Sequence, residues 1–137
     1  MYETTITMAG KLVSDVSLRN TTSGDKVASF RLYCQERKFQ RDTGDWTDGD
    51  RMFVTVTCWR RLAEGVAASL AKGDFVLASG RFHIREYRTQ DGDPRLSPEL
   101  EARSVGPDLA RCTAMINRQL WQPAPDAPVE RETAVAA

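Results

Sequence analysis

The sequence predicts an all-β domain: five strands curled into a small barrel, with one short helix between the third and fourth strands. Three observations carry that expectation. Residues 52–59 alternate with period two, Met52, Val54, Val56 and Cys58 on one side and Phe53, Thr55, Thr57 and Trp59 on the other. That is the pattern of a half-buried strand. The same alternation returns in residues 4–13, 28–35 and 76–87, whereas Leu62, Val66 and Leu70 are spaced by four, the stripe of a short helix. A chain of 137 residues with 41% hydrophobic side chains suits one compact domain with a core and some unstructured length.

Each element has its own signal. Thr4 to Val13 sets Ile6, Met8, Gly10 and Leu12 against Thr5, Thr7, Ala9 and Lys11, rich in β-branched residues, and reads as the first strand. Asn20 to Asp25 is a turn. The second strand places Ala28, Phe30, Leu32 and Cys34 opposite Ser29, Arg31, Tyr33 and Gln35. Residues 38–50 contain Thr43-Gly44-Asp45 and Asp48-Gly49-Asp50, so they read as a long hairpin loop, with Phe39 and Trp46 inside it. The third strand runs from about Arg51 to Trp59, and the helix after it is weakened by Gly65 and stopped by Gly73.

The fourth strand, Phe75 to Tyr87, turns Val76, Ala78, Gly80, Phe82 and Ile84 one way and Leu77, Ser79, Arg81, His83, Arg85 and Tyr87 the other. Gly80 marks a bend or a close crossing. Gln90 to Pro94 turns the chain into a fifth strand, about Pro98 to Val105, with Leu100 and Ala102 against Glu99, Glu101 and Arg103. Five strands with a helix in this place is the order of an OB-fold barrel. An extra C-terminal β segment is expected between Leu109 and Ile116, available for an oligomer contact. The folded domain is expected over residues 1–120, with a short disordered tail over 121–137, where Pro123, Pro125 and Pro128 cluster.

The outward aromatics carry the functional signal. Phe53 and Trp59 lie on the face that would otherwise be wet, flanked by Arg51, Arg60 and Arg61, and an exposed ring beside arginines is a platform for nucleic-acid bases. They are about 20 Å apart along the strand, so they would hold separate nucleotides. The 19 basic residues balance 19 acidic ones, so net charge points to no partner, but fifteen of the cations are arginine, which stacks on bases and forks onto phosphates. There is no phosphate-binding glycine loop, dinucleotide glycine pattern or carboxylate cluster with magnesium spacing. His83 has no Asp, His or Cys constellation beside it, and turn formation explains Asp48 and Asp50. Neither catalysis, a cofactor nor a metal is therefore expected.

Cys34, Cys58 and Cys112 are too few and too irregular for a disulfide framework or thiolate metal site. With no signal peptide and no apolar run of membrane-spanning length, a cytoplasmic protein with reduced thiols is expected. Cys34 and Cys58 fall on inward faces, and Cys112 lies near the end of the fold, where a link across a symmetry axis stays open. The residues also leave open an OB-fold module that binds protein or RNA through its aromatic face.

A series of short motifs adds a resemblance. Thr5-Ile6-Thr7 through Gly10 and Leu12, Thr22-Ser23-Gly24, Val27-Ala28-Ser29-Phe30, Thr43-Gly44-Asp45-Trp46, Trp59-Arg60, Leu70-Ala71-Lys72-Gly73, Gly80-Arg81-Phe82, Arg85-Glu86-Tyr87 and Val105-Gly106-Pro107 follow in order. Over roughly residues 4–118 the chain resembles bacterial single-stranded DNA-binding proteins, particularly the actinobacterial branch. The resemblance implies base stacking at Phe39, Phe53, Trp59 and Tyr87, and a homotetramer whose first strands meet. It implies roles in DNA replication, recombination, repair or chromosome segregation, on the nucleoid.

Arg31, Arg37, Lys38, Arg41, Arg51, Arg61, Arg81, Arg85 and Arg88 are candidates to neutralise phosphates. Lys11, standing where the family commonly has Asn, is a further candidate phosphate contact. The acidic tip that docks replication enzymes in the family is not matched by Glu130-Arg131-Glu132-Thr133-Ala134-Val135-Ala136-Ala137. The chain therefore looks like a tail-less second copy, with partner recruitment through a tip not expected.

Overall fold

The computed structural model describes residues 3–118. In chain order it contains β1 (Thr4–Leu12), β2 (Ser17–Asn20), β3 (Lys26–Gln40), β4 (Asp45–Trp59), α1 (Arg60–Ser69), β5 (Phe75–Arg88) and β6 (Pro94–Pro107). The five expected strands are β1, β3, β4, β5 and β6, and the helix falls between β4 and β5. They form a mostly antiparallel sheet in the order β1-β5-β6-β4-β3-β2, and β1 also borders β3 through Lys11↔Tyr33 and Leu12↔Leu32. The pairing of β4 with β6 is parallel.

Alternation builds the core. Leu12, Ala28, Leu32, Val54, Val56, Cys58, Val76 and Leu100 are fully buried, joined by Met8, Phe30, Ala78 and Ala102, and no polar or charged side chain is buried among the described residues. Ala63 and Val66 of α1 complete this cluster, with Leu62 and Leu70 partly buried against it. The helix begins directly after Trp59, and the sharp corner is made by Arg60 in the left-handed region (φ 57°). An arginine there is unfavourable for the backbone. Its Nη2 lies 3.4 Å from Asp25 Oδ2.

Gly80 is a close crossing: a Cβ there would run into the carbonyl oxygen of Glu101 and lie 2.7 Å from the Ala102 Cα. The β5–β6 register shifts at Ser79/Gly80, which leaves Arg103 as the extra residue of a bulge.

Several expectations need correction. The presumed loop over 38–50 is a two-stranded ribbon, because β3 and β4 stay paired out to Gln40↔Asp45. Only residues 41–44 make the turn, with Gly44 at φ 75°. The second Gly/Asp cluster is a bulge instead: Gly49 and Asp50 oppose Glu36 alone, and Glu36 Oε1 accepts the Asp50 N–H at 3.2 Å. Met52 and Ile84, expected inside, are 36% and 48% exposed, because both strands run past the edge of the core.

β6 is longer than expected at both ends. β2, whose four residues are all exposed, has no apolar alternation to announce it. No strand forms between Leu109 and Ile116; Asp108 to Arg111 make a turn in which Arg111 N–H donates to the Asp108 carbonyl. The expected tail over 121–137, with Trp121 and the end expected to lack an acidic tip, lies outside the described residues.

Candidate nucleic-acid interface

The outer face of β3 and β4 carries an aromatic cluster. Tyr33 and Phe53 are register partners, their ring centroids 5.0 Å apart and tilted by 45°. Arg31 lies over the Phe53 ring at 5.7 Å, within cation–π range, and its Nη1 is 3.5 Å from Thr55 Oγ1. The Tyr33 hydroxyl donates to Gln35 Oε1 at 2.8 Å. Phe53 is 43% exposed and Trp59, at the far end of the same strand, 36%. Tyr87, 42% exposed near the tip of β5, has the Arg85 guanidinium 5.1 Å from its ring centroid.

The ribbon carries a second cluster. Phe39 pairs with Trp46, and the two rings meet edge to face at 5.3 Å, half and 60% exposed respectively. Trp46 reaches this side because of the bulge. Counting back from Phe53 by twos reaches Thr47 and not Trp46, but the extra residue at Gly49–Asp50 reverses the parity of the strand beyond it.

The cations divide into two groups. Arg41 in the ribbon turn, Arg51 opposite Gln35 and Arg61 in the first turn of α1 are exposed, and their side chains form no ion pair or hydrogen bond among the described residues. Arg61 belongs to the helix and not to the sheet. Lys11 sits where β1 meets β3 and β5, its Nζ 5.7 Å from the Phe75 ring centroid, with Arg111 4.9 Å from the same ring.

The other cations are engaged. Arg37 pairs with Asp48 at 3.4 Å and Lys38 with Glu36 at 3.9 Å. Arg88 donates to the Gly92 carbonyl at 2.8 Å. Arg81 Nε donates to Glu101 Oε1 at 3.2 Å and Arg85 Nε to Glu99 Oε2 at 2.8 Å.

Glu99 and Glu101, expected opposite Leu100 and Ala102 on the last strand, were not anticipated as partners of Arg81 and Arg85. β6 lies between β4 and β5, so cross-strand rows run Thr55–Glu99–His83 and Thr57–Glu101–Arg81. The Glu99 side chain is only 18% exposed. The hydrogen bond from Arg85 is the main reason its carboxyl sits below the usual carboxylate range; burial opposes this, and the charges of Arg85 and His83 assist it. The same contact raises Arg85.

His83 Nε2 is 3.2 Å from Glu99 Oε1, while its Nδ1 is buried without a hydrogen-bond partner. A depression of about 160 Å³ beside Trp59 is lined by Thr57, Arg81, His83, Glu99 and Glu101. Among the cysteines, burial pushes the Cys58 thiol up to about 11 and raises the partly buried Cys34 as well. Cys112 is exposed. No cluster of His, Cys, Asp or Glu able to hold a metal ion occurs among the described residues. No helix among them is long and apolar enough to cross a membrane.

An all-β sheet with open aromatic platforms and cations spread along one face defines a surface-binding protein. Comparison with known proteins narrows this. Residues 3–108 match the single-strand binding protein family, and the chain belongs to that family. It is 46% identical over 116 residues to the single-stranded DNA-binding protein of Paenarthrobacter nicotinovorans, covering 85% of this chain and 68% of that one.

Two solved structures are also similar. The small single-stranded DNA-binding protein from Streptomyces coelicolor shares 35% identity with a TM-score of 0.73, over 81% of this chain and 99% of that chain. The second single-stranded DNA-binding protein of Mycobacterium smegmatis shares 31% with a TM-score of 0.63, over 85% and 99%.

Proposed function

We propose that the protein binds and protects single-stranded DNA without reading its sequence, serving replication, recombination or repair as a passive coat and not as an enzyme. The observation that carries this is the outer face of β3 and β4, where Phe53 and Trp59 stand open beside Arg31 and Arg51 and the half-buried Tyr33 backs the Phe53 ring. Rings of this kind accept any base whose face is free, and duplex DNA hides those faces. Phe39 and Tyr87 extend the stacking path along the ribbon and β5. Family membership supports the same reading.

Phosphate neutralisation falls first to Arg31, Arg41, Arg51, Arg61 and Lys11. Arg37, Lys38, Arg81, Arg85 and Arg88 would have to exchange an existing contact for a phosphate. Residues 1–120 form the binding domain in this reading. The circuit β1–β5–β6–β4–β3–β1 supports an OB-fold barrel.

A homotetramer is proposed as the working form. β1 pairs with β3 only at Lys11 and Leu12, with Gly10 packed against Tyr33 and Cys34, which leaves the edge over residues 4–9 for a strand of another copy. Similarity to a second single-stranded DNA-binding protein supports a specialised copy that acts in the cytoplasm on the nucleoid.

Tryptophan fluorescence during titration with oligo-dT tests the reading. Quenching that saturates, together with weak duplex binding at the same salt, is the expected result. An unchanged signal, or duplex binding as tight as oligo-dT binding, would overturn it. An RNA oligomer that outcompetes oligo-dT would point to an RNA-interaction module instead.

A further inference from the structure

On the sheet face, the cations of β5 are cancelled where they stand. Glu101 holds Arg81 at 3.2 Å, and Glu99 holds Arg85 at 2.8 Å with His83 Nε2 at 3.2 Å. The two carboxylates come from β6, which runs between the Phe53–Trp59 strand and the Tyr87 strand. The outer face is therefore banded. A cationic, aromatic track over β3 and β4 (Arg31, Arg51, Phe53) is followed by a band in which Glu99 and Glu101 face Arg81, His83 and Arg85, and then, at the outer end of the sheet, by Tyr87 with its β6 partner Arg95. Thr55 and Thr57, the β4 partners of Glu99 and Glu101, add no charge to the band.

We infer that Glu99 and Glu101 are specificity-determining residues that make this face reject duplex DNA. The inference rests on the single-strand reading above and deepens it. Nonspecific duplex binding needs only cations spread under two phosphate backbones. Without the carboxylates, Arg81 and Arg85 would join Arg31 and Arg51 in one cationic surface broad enough to attract such a rod. With them, a phosphate over the Glu99–Glu101 stretch of β6 meets two like charges and guanidiniums already paired, which disfavours the wrong ligand more than it strengthens the right one.

A single strand escapes this penalty. It can turn its uncharged bases toward the band and keep its phosphates on the β3–β4 track. Base N–H groups also find carboxylate oxygens as acceptors there. The depression beside Trp59, with Arg81, Glu99 and Glu101 in its lining, is where such a base would lie.

The test measures oligo-dT and duplex affinity at low and moderate salt for the wild type, Glu99→Gln, Glu101→Gln and the double variant. Glu64→Gln on α1 serves as a charge-matched control, and melting curves verify folding. The ratio of duplex to oligo-dT affinity should rise by about tenfold or more in the double variant at low salt, with each single variant between. Glu64→Gln should leave the ratio unchanged. A ratio that stays constant in the double variant, or that rises equally in Glu64→Gln, overturns the inference while leaving single-strand binding intact. Failure of the wild type to bind oligo-dT would instead remove the single-strand reading itself.

Discussion

Trp59 serves the fold through its backbone and the surface through its ring. Its backbone closes β4 against Val27 and caps the entry to α1, while its ring stays partly open on the binding face. Trp59→Ala should weaken oligo-dT binding by about 1–3 kcal/mol, read by fluorescence anisotropy of a labelled oligonucleotide; an unchanged affinity would remove Trp59 from the stacking path. Gly80 is constrained from the opposite direction, by backbone and not by ligand. The atoms a methyl would meet belong to the main chain of Glu101 and Ala102, which cannot swing aside. Gly80→Ala should cost about 1–3 kcal/mol of stability, seen as a lower urea midpoint.

Period-two alternation made Val54, Val56 and Cys58 legible as core, and Phe53 and Trp59 as surface, from the sequence alone. It misled at Met52 and Ile84 because alternation reports which side a residue takes, not whether the core still lies beneath it. It missed Trp46 for a different reason: one extra residue at Gly49–Asp50 reverses every side chain beyond it, and nothing in the residue types separates a turn glycine from a bulge glycine. The ion pairs of Glu99 and Glu101 were illegible because they depend on β5–β6 register, which itself shifts at Gly80.

Between elements, β5 and β6 are linked by side chains as well as by the ladder. Because Glu99 is held below the ordinary carboxylate range, its pairing stabilises the fold fully above the unfolded-state value of about 4.3 and is lost as pH falls through the lower folded value. Arg85 is 55% exposed, so screening by water keeps the contribution small. The wild type should therefore melt slightly above Glu99→Gln at neutral pH, with the gap closing in acid as the carboxyl protonates. A gap that widened on acidification would contradict this sign. β2 and the absent strand over 109–116 show the limit of pattern reading at this scale: a short, wholly exposed strand is defined by its neighbour's free edge, not by its own residues.

For the molecule as a whole, the unpartnered edge of β1 is the feature that calls for company. Sedimentation equilibrium should return the mass of four copies at micromolar protein; a monomer under those conditions would remove the tetramer and the wrapping that several linked sites permit. The ribbon of β3 and β4 matters at the same scale. From Glu36 to Asp50 every residue but Gly49 is exposed, so this arm takes nothing from the core and is held by its ladder, the Phe39–Trp46 contact and surface contacts such as Arg37–Asp48. It can therefore unzip from its tip while the body stays folded. A bound strand would then leave by peeling, one nucleotide after another, and a competitor could enter behind it without the first grip ever being wholly broken.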